Sequence, residues 1–297
     1  METKVARVPS VAGAFSKLID YAGLFPPAAL SLDRAQAEYQ EARRGPDAWM
    51  LGRFIIPAKL LTESAAKLAG PFSVIVDGSR EALARLGASY ESGTQIEVLE
   101  VPLEPRLSGN EVPGAIERLR EAATGAGFAD LPIFAETPRS DQPSDVRSWM
   151  ACLAAHKLGA KLRCGGVTAD AFPTIDEVAE FIAAAIAANV PFKATAGLHH
   201  PVRHYNAQSG FTMHGFLNLL AAAAFASRVD LETLRRIVAE EDAGAFRFDA
   251  NAFAWREQQI DATELAASRT TRFVAYGSCS FAEPIEDLTA LGILSAR

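Results

Sequence analysis

Residues 72–86 read FSVIVDGSREALARL, from Phe72 to Leu86, and their two halves obey different periods. Residues 72–76 are apolar but for Ser73, the near-continuous pattern of a parallel strand buried on both faces. Asp77-Gly78-Ser79 then supplies turn chemistry. From Arg80 onward the apolar residues recur at helical spacing. One strand, one short turn and one amphipathic helix make a β/α unit.

The same unit recurs in both directions along the chain. Upstream, strands are expected at 17–24 and 51–56, with helices from Ser31 to Arg44 and over 62–68. Downstream, strands are expected at 95–101, 132–136, 160–163, 192–196 and 272–276. Helices are expected over 115–123, 144–158, from Pro173-Thr174 to about Asn189, and over 284–291. Eight strands alternating with helices predict an α/β fold, a (β/α)8 TIM barrel, and 297 residues suit one such domain. No Gly-rich dinucleotide fingerprint follows the first strand, which argues against an open doubly wound sheet.

The seventh and eighth strands are separated by too many residues for one loop and helix. A helical insertion is expected at about 201–265, with helices over 214–226, 231–240 and 252–259, covering part of the barrel mouth. No linker divides the chain, so residues 1–297 are read as a single domain.

Composition narrows the functions. The net charge is −7 and the basic residues are scattered, so nothing resembles a stripe for a nucleic-acid backbone. No apolar run reaches the ~20 residues a membrane span needs. Residues 1–15 lack the apolar core of a secretory signal. Three widely spaced cysteines, Cys152, Cys164 and Cys279, do not make a disulfide framework. A cytoplasmic protein is therefore expected, with a small-molecule anionic substrate and no nucleic-acid or membrane partner. A homo-oligomer stays open.

Barrel chemistry sits at the C-terminal ends of the strands. Strand 7 places Lys193 inside an apolar run, where burial would lower its pKa and make the amine nucleophilic, as a Schiff-base lysine requires. The bland alternative is a lysine paired with a carboxylate such as Glu136. Strand 6 offers Lys161 and Arg163 on one face; Lys161 reads as a solvated rim residue and Arg163 as an anion contact. Gly165 and Gly166 would let a ligand approach the backbone. Glu136, ending strand 5, could act as base, metal ligand or lysine partner. Asp20, Asp77, Glu97, Glu100 and Arg53 are further polar candidates. Glu97 and Glu100 differ in parity, so one of them should face the lumen.

Four of five histidines lie between 199 and 214. His199, His200 and His204 suit a divalent metal or proton transfer. Adjacent histidines in an extended segment should point in opposite directions. After strand 8, Gly277, Ser278, Cys279 and Ser280 precede a helix, with Ser280 and Glu283 in capping-box spacing. Such a loop can bind phosphate or carboxylate through backbone N–H groups, and a thiol there could have a lowered pKa.

Residues 190–197, with Lys193 at their centre, resemble the strand-7 lysine segment of deoxyribose-phosphate aldolase and related class I aldolase barrels. Residues 161–166 are similar to the strand-6 lysine segment of that family. The resemblance spans two short strands. It implies a barrel in which the strand-6 lysine forms the Schiff base and the strand-7 lysine tunes it. The position matching the Schiff-base lysine is Arg163, which cannot form an imine, and His199-His200-Pro201 has no counterpart in the pattern.

The favoured expectation is an aldolase-like lyase acting on a small anionic carbonyl compound, phosphorylated or carboxylated, with no cofactor required. Lys193 would be nucleophile or electrostatic catalyst, Glu136 and His199 acid–base groups, and Arg163 with the 277–280 loop the anion site. A metal-dependent lyase or hydrolase on His199, His200 and His204, and a metabolite-binding barrel without catalysis, are the alternatives.

Overall fold

The computed structural model describes residues 8–64, 67–166, 168–207 and 209–295. Helix α1 (Pro9–Phe15) leads into β1 (Ile19–Tyr21). There follow α2 (Leu32–Arg44), β2 (Leu51–Pro57), α3 (Ala58–Ser64), β3 (Phe72–Ile75), α4 (Arg80–Glu91) and β4 (Ile96–Pro102). Next come α5 (Val112–Gly125), β5 (Ile133–Glu136), α6 (Pro143–Ala155), β6 (Gly159–Arg163), α7 (Ile175–Ala187) and β7 (Phe192–Thr195). A hairpin of β8 (His204–Asn206) and β9 (Phe211–Met213) precedes α8 (Phe216–Phe225) and α9 (Leu231–Ala239). Then β10 (Phe246–Phe248), β11 (Ala252–Trp255), β12 (Gln258–Asp261) and α10 (Ala262–Thr271) lead to β13 (Phe273–Ser278) and α11 (Ala282–Ala290).

β1 to β7 and β13 pair in parallel and close into a barrel, with β13 between β7 and β1. This is the (β/α)8 TIM barrel with an insertion between its seventh and eighth strands. The prototype unit folds as its residues dictate. Asp77 Oδ1 accepts from Ser79 N at 2.8 Å, and Ser79 Oγ accepts from Ala82 N to start α4. The helix expected over 62–68 is in fact α3, which begins earlier at Ala58; residues 65 and 66 of the expected range lie outside the described residues. So do residues 1–7 of the segment read for a secretory signal.

Two local expectations are corrected. The third insertion helix, over 252–259, is instead a β-hairpin: Phe253 lies opposite Ile260 and Trp255 opposite Gln258. Residues 252–255 alternate small and aromatic, a period-2 pattern that packs Phe253 on Phe225 and Phe248, and Arg256 turns the chain with φ 50°.

The insertion also does not roof the mouth as a whole. The β10–β12 sheet packs on α1 and α10, which feed the N-terminal ends of β1 and β13. Buried Arg269 of α10 donates to Ala14 O (2.7 Å), and Ser10 Oγ donates to Asp249 O (2.5 Å). The sheet therefore seals the bottom of the barrel. α8 is buried at every position, between α7, α9, α10 and β13, as a helix apolar on all sides must be. Only the β8–β9 hairpin follows directly from the mouth end of β7. Among the described residues no helix is long and apolar enough to cross a membrane.

Candidate functional site

The lumen holds an ion network drawn from seven strands. Lys193 of β7 is 1% exposed, and its Nζ donates to Asp20 Oδ2 (2.5 Å), Glu100 Oε1 (2.5 Å) and Ser73 Oγ (3.0 Å). Ser73 Oγ in turn donates to Glu100 Oε1 at 2.6 Å. Lys161 of β6 is 4% exposed and stands 2.8 Å from Glu100 Oε2 and 3.1 Å from Glu136 Oε2. Arg163, two residues on, donates from Nε to Glu136 Oε1 at 2.7 Å and keeps about half its side chain in solvent. Asp20 Oδ1 accepts from Arg53 N at 2.7 Å. Gly52 leaves the room for that carboxylate: a Cβ there would lie 2.2 Å from Asp20 Oδ1.

Lys161 is thus no solvated rim residue. Period-2 alternation puts it and Arg163 on the lumen face, Lys161 a full step deeper. Glu136 does not partner Lys193; it bridges Lys161 and Arg163. Of the two glutamates of β4, Glu100 is the one buried against the lysines, and Glu97 sits where β4 slips register against β3: Phe72 pairs with Ile96 but Ser73 with Val98. Glu97 is the extra residue of that bulge and reaches Arg53 Nε at 3.0 Å, while Glu100 serves the lysines.

The electrostatics follow from burial against pairing. Burial alone would raise the Glu100 pKa; the ammoniums of Lys161 and Lys193 overcome it and hold the carboxyl well below the usual carboxylate range. Burial alone would lower Lys161; the carboxylates of Glu100 and Glu136 outweigh it and raise the ammonium above the ordinary lysine value. In the resting lumen the pairing of Glu100 with Lys161 therefore favours the charged form of both.

A second cluster lies on the loops after β7 and β13. His199 Nδ1 is 3.2 Å from Glu283 Oε2, and Cys279 Sγ is 3.7 Å from His199 Nδ1 and 4.0 Å from its Nε2. His200 Nδ1 is 2.6 Å from Asp287 Oδ2. Both adjacent histidines therefore turn toward α11, contrary to the extended-chain expectation. Ala196 and Gly197 have φ of 61° and 68°, so the chain leaves β7 through a left-handed turn. Burial pushes the Cys279 thiol up, a direction opposite to the one expected for a cysteine near a helix start.

The remaining sequence candidates are occupied by protein. What approaches Gly165 is the Phe172 ring and the Gly197 backbone, and at Gly166 it is Ala171. Ser278 Oγ donates to Ser280 O, and Ser280 Oγ accepts from Glu283 N. The Glu283 carboxylate turns to His199, so the capping box is half made. His204 donates within its own loop to Val202 O, and its ring packs edge-on against His200. His214 is buried, hydrogen-bonded to Pro173 O, and held neutral with a pKa near 4 by burial. Among the described residues no three His, Cys, Asp or Glu side chains are grouped so that they could hold a metal ion; His199 and His200 instead each face a carboxylate of α11.

No family model and no curated protein matches the chain. Among solved structures it is similar to a tetrameric deoxyribose phosphate aldolase from Aeropyrum pernix, with a TM-score of 0.52 and 10% identity over 96% of this chain and 99% of that one. A structure from Coccidioides immitis ascribed to fructose-1,6-biphosphate aldolase aligns more faintly, with a TM-score of 0.42 and 12% identity over 88% and 90%. The first likeness, spanning both chains nearly end to end, shows a shared barrel fold.

Proposed function

We propose that this chain is an aldolase-like lyase acting on a small anionic carbonyl compound at the mouth of the barrel. The observation that carries the reading is the pair of buried lysines, Lys161 and Lys193, joined through one carboxylate, Glu100, inside the lumen. Two buried ammoniums are costly, and burying them adds little to stability that apolar residues would not supply.

Lys193 has three acceptors and is the fixed charge of the site. Lys161 has two, both carboxylates, and stands below Arg163. Arg163 at the rim takes the substrate's phosphate or carboxylate, which draws it from Glu136. The Lys161 ammonium is held above the ordinary lysine value by Glu100 and Glu136, so its proton must be drawn off at the cost of that pairing, and Glu136, freed on its Arg163 side, is the acceptor within reach. The neutral Lys161 amine then attacks the carbonyl, water leaves, and the imine forms. Lys193 stabilises charge developing beside it. Three free cysteines fit a reducing compartment for the reaction.

Borohydride trapping with phosphorylated and carboxylated aldehydes and ketones, followed by mass mapping, tests this. The expected result is a substrate-sized adduct on Lys161, absent in Lys161→Ala. Turnover of a carbonyl compound with no adduct on either lysine would remove the imine step.

A further inference from the structure

We propose that Cys279, His199 and Glu283 form a second reactive centre, a base-assisted thiol that takes activated acyl compounds such as esters and thioesters. Three elements bring the residues together: Cys279 follows the last residue of β13, His199 lies on the loop leaving β7, and Glu283 is on the first turn of α11. The arrangement is that of a nucleophile, a base and a group that orients the base. Glu283 Oε2 lies 3.2 Å from His199 Nδ1 and fixes the tautomer with the proton on Nδ1. Cys279 Sγ lies 3.7 Å from Nδ1 and 4.0 Å from Nε2, so a turn of the imidazole is needed to bring the Nε2 lone pair onto the thiol. Catalytic contacts are often this long before a substrate tightens them. Cys279 is partly exposed as a residue, as is the His199 side chain, which leaves the pair on the solvent side of the barrel. Neither residue touches the lysine network, and this proposal stands apart from the imine reading.

The chemistry is a simple transfer. The Sγ–carbonyl bond forms as the thiol proton passes to His199 Nε2. The tetrahedral species collapses, the C–O or C–S bond to the leaving group breaks with its electron pair, and His199 returns the proton to that group. Water, deprotonated by the same nitrogen, then cleaves the thioester and restores the thiol. Burial raises the resting thiol's pKa, so the proton must be taken during attack, which is the work of the paired base. Cys164 is fully buried, and the Cys152 Sγ faces Pro113 O at 3.7 Å with burial and the Glu117 carboxylate raising its thiol, so neither shows the imidazole contact that Cys279 makes.

The test uses p-nitrophenyl acetate on the intact protein. The expected outcome is a burst of nitrophenolate and one acetyl group mapped by mass to Cys279. His199→Asn should slow the burst by about a hundredfold or more, and Glu283→Gln by a smaller factor. Cys152→Ser should leave it unchanged. The wild-type mapping needs no variant to fold: acetylation at other residues with Cys279 unlabelled overturns the proposal. So does labelling of Cys279 at an undiminished rate in a folded His199→Asn protein.

Discussion

Glu100 accepts from both buried lysines, Lys193 at Oε1 and Lys161 at Oε2, and no other residue can replace it on both sides. Glu100→Gln would leave two ammoniums in the lumen with their shared countercharge gone. Breaking a buried pair in this way costs about 3–5 kcal/mol. Urea unfolding at neutral pH should show the midpoint falling accordingly; an unchanged midpoint would mean the network relaxes at no cost. The pH window has a definite sign. Glu100's folded pKa is depressed, so its contribution is complete above the unfolded carboxyl value of ~4.3 and is lost only as pH falls through the lower folded value. Lys161's is raised, so its contribution is complete below the unfolded value of ~10.4 and is lost as pH rises through the folded one. Between those limits the network is at full strength.

At the scale of elements, the β10–β12 sheet is the part that hydropathy reading misassigned, and its core ring is Phe253. Its centroid lies 5.8 Å from that of Phe225 in α8 and 4.7 Å from that of Phe248 in β10. Phe253→Ala should destabilise the protein by about 3–5 kcal/mol, as for large core truncations, read as a lowered denaturation midpoint. The sheet lies at the bottom, so acetylation of Cys279 in the folded fraction should keep its rate. A slowed burst in folded Phe253→Ala protein would show that the sheet reaches the mouth after all.

For the molecule as a whole, the insertion and barrel share α1, α8 and α10 as common packing partners. One cooperative unit is the expected consequence. Trp255 reports on the insertion sheet and Trp149 on α6 of the barrel wall. Single-tryptophan proteins, with the other tryptophans changed to Phe, should unfold in coincident fluorescence transitions relative to their own circular-dichroism curves. Fluorescence of Trp255 that changes well before the barrel's circular dichroism would divide the chain into two domains.

How far the sequence reaches depends on the range of the interaction. The β/α alternation, the long insertion and the intramural position of Lys193 were legible because strand and helix periods are set by neighbours a few residues apart. The partners of Lys193 were not. Asp20 and Glu100 are 173 and 93 residues away from it, and only closure of the barrel brings them within hydrogen-bonding distance. The depth of Lys161 could not be told from the solvated rim, since parity gives a face but no height. Parity separated Glu97 from Glu100 but could not say which of them meets the lysines, and the bulge of β4 against β3 is set only by strand pairing. The histidines defied parity because a left-handed turn at Ala196-Gly197 redirects both toward α11. Local chemistry thus determined the barrel and the identity of its unusual residues. Tertiary structure decided their pairing: lysines with carboxylates across the lumen, and a thiol with an imidazole between two loops. The physical reason is that charges and hydrogen bonds act over a few ångströms in space, and sequence separation carries no measure of that distance.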